Sequence, residues 1–216
     1  MENQPRLATS RRRRWALCAL TTATLLGAGC FGTEGSGVEA RKSYDFQEFE
    51  RIKCDGLFDV HVKIGPEYSV TAIADDNILP MVNVSKFGDT LRVEANGSIS
   101  NPIDPRVEIV LPQLRDVDLD GLCGGSISDL QGGELRVELE WMGDLELHGR
   151  LDTLHYDGRG DVKASHLKTD VAMVQMEGGK LILGPVTEKL EAHGSGKLRH
   201  EGTPKTLSLE PDIGPG

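Results

Sequence analysis

A glycine recurs at nearly even intervals, 17 to 20 residues apart, along the second half of this chain. The recurring glycines are Gly125, Gly143, Gly160, Gly179, Gly196 and Gly216. Each repeat places an aliphatic slot on either side of a small-residue corner, as in Leu154 to Val162, and glycine suits a corner because it has no Cβ. Short runs such as Leu181/Leu183 show the two-residue period of strands.

So short a repeat cannot bury its own apolar side, but stacked repeats can bury a continuous one. The pattern therefore predicts an all-β chain that forms a parallel β-solenoid with glycine-cornered coils. An antiparallel β-sandwich is the alternative, because regular turn spacing is also typical of sandwiches.

Residues 1–29 have the order of a signal peptide. The basic run Arg11 to Arg14 precedes an apolar stretch, Trp15 to Gly29, that is short for a membrane span. The stretch ends in Leu-Leu-Gly-Ala-Gly-Cys30, which resembles the lipobox of bacterial lipoproteins. Cys30 is thus the predicted lipid attachment site, with simple cleavage as the alternative. Residues 30–43 are small and polar and are expected to form a flexible tether.

The charge of the mature chain argues against nucleic acid as a partner. Removal of the signal peptide takes away five basic residues and one acidic residue, which leaves 19 basic and 33 acidic residues and a net charge of −14. A polyanion would repel such a surface. The composition fits a β-rich domain exported to the cell envelope.

Two cysteines remain in the predicted domain. Cys18 leaves with the signal peptide, so Cys54 and Cys123 are the candidates for one disulfide in an oxidising compartment. Two unpaired, buried thiols are the alternative. Neither cysteine has the spacing of a metal ligand.

The domain itself divides into two regions. Residues 44–100 contain short alternating strands such as Leu57 to Ile64, and Pro80 restricts any helix there to about one turn. The stretch from Asn96 to Pro105 is rich in glycine and proline and marks an internal boundary. Residues 101–216 carry the glycine-cornered repeats.

An ordered set of motifs from Tyr44 to the C-terminus resembles the head GIN domain family, whose members are also called putative auto-transporter adhesins and occur in bacterial surface lipoproteins. The motifs are Gly56-Leu57-Phe58-Asp59-Val60, Ala74 to Leu79, Leu91-Arg92-Val93, Val107 to Pro112, and the corners around Gly160 and Gly196. The resemblance implies a right-handed parallel β-helix and an envelope location, which with Cys30 predicts an outer-membrane lipoprotein. It implies no catalytic residues and no cofactor.

A strip of corner residues is the candidate ligand-binding surface. Its members are Trp141, Asp144, Asp161, Lys180 and Lys197. Stacking of the repeats predicts ion pairs between Asp161 and Lys180 and between Glu146 and Lys163. Trp141 has a second interpretation, in which it packs over the edge of the stack. No metal is expected, because calcium takes about six to eight oxygen ligands and few converge here.

Two functions follow as expectations. The first is a non-catalytic module of the cell envelope that is anchored to the membrane through Cys30 and binds a surface protein or glycan. The alternative is a carbohydrate-active β-helix enzyme that acts on an envelope or extracellular polysaccharide. Such chemistry needs paired carboxylates, and the nearest candidates, Asp120 with Glu138 and Asp144 with Asp161, are few.

Overall fold

The computed structural model describes residues 32–100, 102, 104–141 and 143–215. The predicted signal peptide and Cys30 lie outside these residues. The described chain is all-β apart from one 3-10 helix over Leu79–Met81. Its strands are β1 (Thr33–Glu34), β2 (Glu39–Tyr44), β3 (Arg51–Gly56), β4 (Asp59–Ile64), β5 (Ser69–Asp75), β6 (Val82–Phe87), β7 (Thr90–Ala95), β8 (Ile99–Ser100), β9 (Arg106–Leu111), β10 (Asp116–Gly121), β11 (Gly124–Gln131), β12 (Glu134–Leu139), β13 (Asp144–Gly158), β14 (Asp161–Glu201), β15 (Thr206–Leu209) and β16 (Ile213–Pro215).

All strands except β1 and β8 belong to one mixed, nearly closed, barrel-like sheet. Its order runs β2-β5-β9-β4-β11-β13-β12-β10-β3-β7-β6, with β14 beside β13 and with β15 and β16 beside β14. The predicted right-handed parallel β-helix is therefore wrong, because antiparallel pairs are built into this sheet. The alternative antiparallel β-sandwich is not observed either, since most pairings in the described chain are parallel.

Three antiparallel pairings distinguish this sheet from a parallel β-helix, and all of them involve strands of the first half of the chain. β5 lies antiparallel to both β2 and β9, and β6 lies antiparallel to β7 across the turn at Gly88 and Asp89. Apolar alternation has the same period in parallel and antiparallel strands, so the pattern of these segments does not report strand direction. Residues 39–43 of the predicted tether lie in β2, so the folded part begins before Tyr44.

The glycine repeat corresponds to strands that stack in parallel register. The first part of β13 pairs with β11, its second part pairs with β12, and β14 runs beside both parts. Thr153 lies between Glu134 and Val171, which are one repeat before and one repeat after it. Successive repeats therefore place equivalent residues side by side, one strand spacing apart.

The core is made by alternate residues of these strands. Leu135, Val137 and Leu139 of β12 are buried, while the residues between them point outward. The same alternation buries Leu145 and Leu147 of β13. Burial of an aliphatic side chain contributes about 1.5–3 kcal/mol, so this continuous apolar lining holds the repeats together.

Gly179 shows why the repeat needs glycine. Its φ of +69° lies in the left-handed region, and a Cβ there would overlap the carbonyl oxygens of Arg159 and Gly160, one repeat earlier. A side chain at this corner would meet both a backbone penalty and a steric clash. The repeat thus marks places where one turn of the chain passes close to the next.

Candidate ligand-binding groove beside Trp141

Trp141 lies in the connection between β12 and β13 and is 61% exposed. Its carbonyl oxygen accepts a hydrogen bond from the backbone N–H of Gly143 at 2.9 Å, which holds the connection in a tight turn. An exposed indole ring offers a flat apolar surface together with one hydrogen-bond donor. This exposure leaves the ring accessible to a ligand.

A groove of about 400 Å³ runs beside this ring. It lies where β12, β13 and β14 run next to each other, and the parallel register places Glu138 opposite Asp157 and Leu139 opposite Gly158. The residues that line it are Glu138, Leu139, Glu140, Trp141, Asp157, Gly158, Arg159 and Glu177. The groove is therefore a product of the stacked repeats rather than of one loop.

Carboxylates dominate the charge of the groove. Arg159 Nε donates to Glu177 Oε2 at 2.8 Å, and Glu138 Oε1 lies 3.4 Å from Nη1 of Arg136. Glu140 and Asp157 form no ion pair with any residue that the structure describes. The four carboxylates and one arginine of the lining give the groove a net negative charge.

Tyr156, next to the groove residue Asp157, belongs to the buried core. Its side chain is buried, and its hydroxyl donates to the carbonyl oxygen of Gly160 at 3.1 Å. Burial raises the pKa of Tyr156 above its ordinary value, and the nearby charges of Asp161 and Asp157 raise it further. The phenol therefore stays neutral and acts as a structural hydrogen-bond donor.

The predicted strip does not form one surface with the groove. Asp144 and Asp161 lie opposite each other on β13 and β14, as the repeat alignment predicts. Lys180 donates to Asp161 through its backbone N–H at 2.8 Å, and Lys197 lies opposite Gly214. Of the strip, only Trp141 lines the groove.

The repeat alignment also predicts that two further pairs of residues lie side by side. The Glu146–Lys163 ion pair is present, with 3.4 Å between Oε1 and Nζ. Asp120 does not share a row with Glu138, because the register pairs Asp118 with Glu138. The carboxylate opposite Glu138 is thus that of Asp118, two residues before the expected Asp120.

The sequence interpretation missed Glu140, Asp157 and Glu177 as groove residues. A signal for them existed in the repeat itself, since Glu138 and Asp157 are 19 residues apart and Arg159 and Glu177 are 18 apart. Outward positions at the repeat spacing fall on neighbouring strands, where they form one surface. The strip follows the corner glycines, whereas the groove follows the strand positions beside them.

No group of three or more His, Cys, Asp or Glu side chains within the described residues is arranged to hold a metal ion. Over the same residues, no helix has the length and apolar character needed to cross a bilayer.

Comparison with known families identifies the class of protein. The model of the family described as putative auto-transporter adhesin, head GIN domain, matches residues 48–204. The chain belongs to this family, as the motif resemblance predicted. The family description is that of adhesins, a class of bacterial surface proteins.

Solved structures share this fold at low sequence identity. A putative adhesin from Bacteroides fragilis NCTC 9343 is 20% identical, with a TM-score of 0.65, over 82% of this chain and 95% of that one. A putative adhesin from Parabacteroides distasonis ATCC 8503 is 18% identical, with a TM-score of 0.70, over 82% and 77% of the two chains. A putative lipid binding protein from the same strain is 16% identical, with a TM-score of 0.50, over 85% and 96%. None of the curated proteins matches the chain significantly.

Proposed function

We propose that this protein is a non-catalytic adhesin that binds a ligand at the cell surface through the groove beside Trp141. The observation that carries the proposal is an exposed tryptophan at the edge of a groove that the stacked repeats hold open. Exposed tryptophans are enriched where proteins bind partners, because the ring supplies a large contact area with few rotatable bonds. Membership of an adhesin family supports the same role.

The chemistry of the groove favours a basic segment of another surface protein as the ligand. Glu140 and Asp157 form no close ion pair within the described chain, although the charge of Lys53 acts on Glu140 at longer range, so a lysine or arginine side chain of a ligand would give them a direct partner. The same cation placed over the Trp141 ring gains about 0.5–2 kcal/mol from the cation–π interaction. The net charge of −14 on the mature chain would also speed the approach of a basic partner.

The proposed function includes no catalysed reaction. Glycoside hydrolysis needs two carboxylates with distinct protonation states, one of which acts as an acid. Glu138 pairs with Arg136 and Glu177 pairs with Arg159, so an arginine is the direct partner of both carboxylates. Turnover of a polysaccharide that Glu138→Gln or Asp157→Asn abolishes in a folded protein would instead establish the enzyme alternative.

We further propose that Cys30 carries the lipid that anchors the protein to the envelope, as an outer-membrane lipoprotein. The support is the order of basic, apolar and small residues before Cys30. Multiple acyl chains give a stable anchor, whereas one chain does not. Wild-type protein should incorporate a labelled fatty acid and Cys30→Ala should not; equal partition of the two proteins into the soluble fraction would contradict the anchor.

Binding is tested with the full-length protein displayed on cells. The probes are immobilised lysine- and arginine-rich peptides, matched acidic peptides and a panel of neutral glycans. Trp141→Ala should weaken attachment to the basic peptides about 2- to 30-fold, the range that the cation–π energy corresponds to. Phe87→Ala removes another exposed aromatic, 90% exposed and not part of the groove lining, and should leave attachment unchanged.

A second pair of variants tests the charge of the groove. Glu140→Gln with Asp157→Asn should reduce attachment and its sensitivity to salt, since exposed charges are screened over about 8–10 Å at physiological ionic strength. Glu67→Gln with Asp212→Asn changes the net charge equally at exposed positions that do not line the groove, and should have little effect. If the protein attaches to glycans alone, and Trp141→Ala abolishes that attachment, the adhesin function would be supported and the basic ligand would be excluded.

A further inference from the structure

Cys54 and Cys123 meet in the core although 69 positions separate them in the chain. Cys54 lies on β3, and Cys123 lies in the short connection between β10 and β11. Their Sγ atoms are 2.7 Å apart, and the two residues are 0% and 2% exposed. β3 and β10 are paired in parallel, so the sheet itself brings the two cysteines together.

This separation is short for two unbonded sulfur atoms. Even carbon atoms, which are smaller, pack at about 3.5–4.0 Å. A disulfide holds its sulfurs at about 2.05 Å, so the two sulfurs are closer to bonding distance than to ordinary contact. A small side-chain adjustment joins them.

We propose that Cys54 and Cys123 form one intramolecular disulfide when the protein is exported. The oxidant is a disulfide of another protein or small molecule in the envelope compartment. One cysteine thiolate attacks that disulfide and releases one thiol, which gives a mixed disulfide. The second cysteine thiolate then attacks the mixed disulfide at the first cysteine sulfur and releases the second thiol. Two protein thiols are oxidised, one oxidant disulfide is reduced to two thiols, and two protons leave the cysteines.

The timing of the reaction follows from burial. The hydrogen bond with Cys123 and the burial of the side chain both raise the pKa of the Cys54 thiol, so the folded chain holds little reactive thiolate there. Oxidation therefore belongs to the stage of folding at which both thiols are still exposed. Once formed, the bond is shielded from dissolved reductants by the core around it.

The crosslink would join the two regions that the sequence distinguishes. The segment between the cysteines contains β4 to β10, which includes the antiparallel strands β5, β6 and β9. A crosslink that closes a long loop restricts the unfolded chain and stabilises the folded one. The bond would thus hold the N-terminal strands against the first glycine-cornered repeat.

Peptide mapping of the full-length protein purified from the envelope of exporting cells tests the proposal. The protein is denatured without reductant, alkylated with iodoacetamide and digested. The expected result is a linked pair of peptides containing Cys54 and Cys123, with neither residue alkylated until a reductant is added. In Cys54→Ser, Cys123 should become fully alkylated. Alkylation of both residues in the unreduced wild-type protein would overturn the proposal.

Thermal unfolding supplies a second readout. Reductant present during unfolding should lower the midpoint of the wild-type protein by about 5–15 °C, the range expected for loss of a long-loop crosslink in a domain of this size. Cys54→Ala with Cys123→Ala should unfold at the lower temperature with or without reductant. If the double variant fails to fold, the peptide map of the wild type decides alone. The peptide map reports the bond and the Trp141→Ala attachment assay reports the groove, so failure of one proposal is distinguishable from failure of the other.

Discussion

The carboxylate of Asp161 accepts a hydrogen bond from the backbone N–H of Lys180, with 2.8 Å between Lys180 N and Asp161 Oδ1. Stacking of the repeats predicted contact between these two residues, but through the lysine ammonium. The ammonium of Lys180 forms no ion pair with a described residue. The acceptor ties the end of one repeat to the start of the next at the Gly179 corner, so Asp161 has a structural role.

Substitution at the two positions should therefore have unequal effects on stability. Asp161→Ala removes the acceptor of a backbone donor and should lower the free energy of unfolding by about 1–2 kcal/mol. Lys180→Ala keeps the donor and should change it by less than about 0.5 kcal/mol. Urea unfolding followed by circular dichroism measures both. Equal losses would mean that the lysine ammonium carries the interaction.

Gly160 provides a test of the close approach between repeats. A Cβ at Gly160 would lie 2.5 Å from the carbonyl oxygen of Gly143 and 2.9 Å from Cδ1 of Leu139. Gly160→Val should destabilise the protein by about 2–4 kcal/mol, because backbone atoms cannot move aside as a flexible side chain can. Lys163→Val, at an exposed β14 position, should cost about 1 kcal/mol or less, and the two unfolding midpoints separate the cases.

The sequence predicted the repeats better than it predicted the sheet. Glycines such as Gly160 and Gly179 report places where backbone approaches backbone, and the spacing of these places sets the register of β12, β13 and β14. The first half has no such glycine period. There, β5 pairs antiparallel with its neighbours β2 and β9, and its alternation would look the same in a parallel sheet.

The candidate site was predictable only in part. Trp141 stood out because a large aromatic replaces a small residue at a corner. The carboxylates beside it belong to different repeats, and a shift of two residues changes which of them face each other, as the pairing of Asp118 with Glu138 shows. Register at that precision depends on local bulges such as the one between Glu146 and His148, which no residue pattern marks.

Lys53 and Asp118 form an ion pair between adjacent strands, and their side chains are 35% and 17% exposed. The hydrogen bond with Asp118 raises the pKa of Lys53 above its ordinary value. A lysine with a raised pKa in the folded state contributes stability that is complete below its unfolded pKa of about 10.4 and is lost as the pH rises through the folded value.

Lys53→Met should therefore destabilise the protein at pH 7 and less so in strong base. The expected loss at pH 7 is about 1–2 kcal/mol, because Asp118 is left half-buried without its partner while solvent screening limits the effect. Lys168→Met, an exposed substitution of the same kind on β14, is the control and should change little. A pH-independent loss in Lys53→Met would assign the effect to packing rather than to the ion pair.

Substitution of Asp116 should change the stability at pH 7 in the opposite direction to substitution of Lys53. Burial raises the pKa of Asp116, with the charge of Glu138 adding to the effect and Arg51 and Arg136 opposing it. An acid whose pKa is raised on folding destabilises the folded state once the pH exceeds its unfolded value of about 3.9, and the cost is complete above the folded value.

Asp116→Asn removes that cost and should stabilise the protein at pH 7 by about 0.5 kcal/mol or less, since the site is partly exposed and screened. The gain should disappear near pH 3.5, where wild-type Asp116 is protonated as well. Urea unfolding at both pH values, with Glu67→Gln as a control for net charge, measures the difference, and a lower stability of Asp116→Asn at pH 7 would show that attraction to the two arginines outweighs burial.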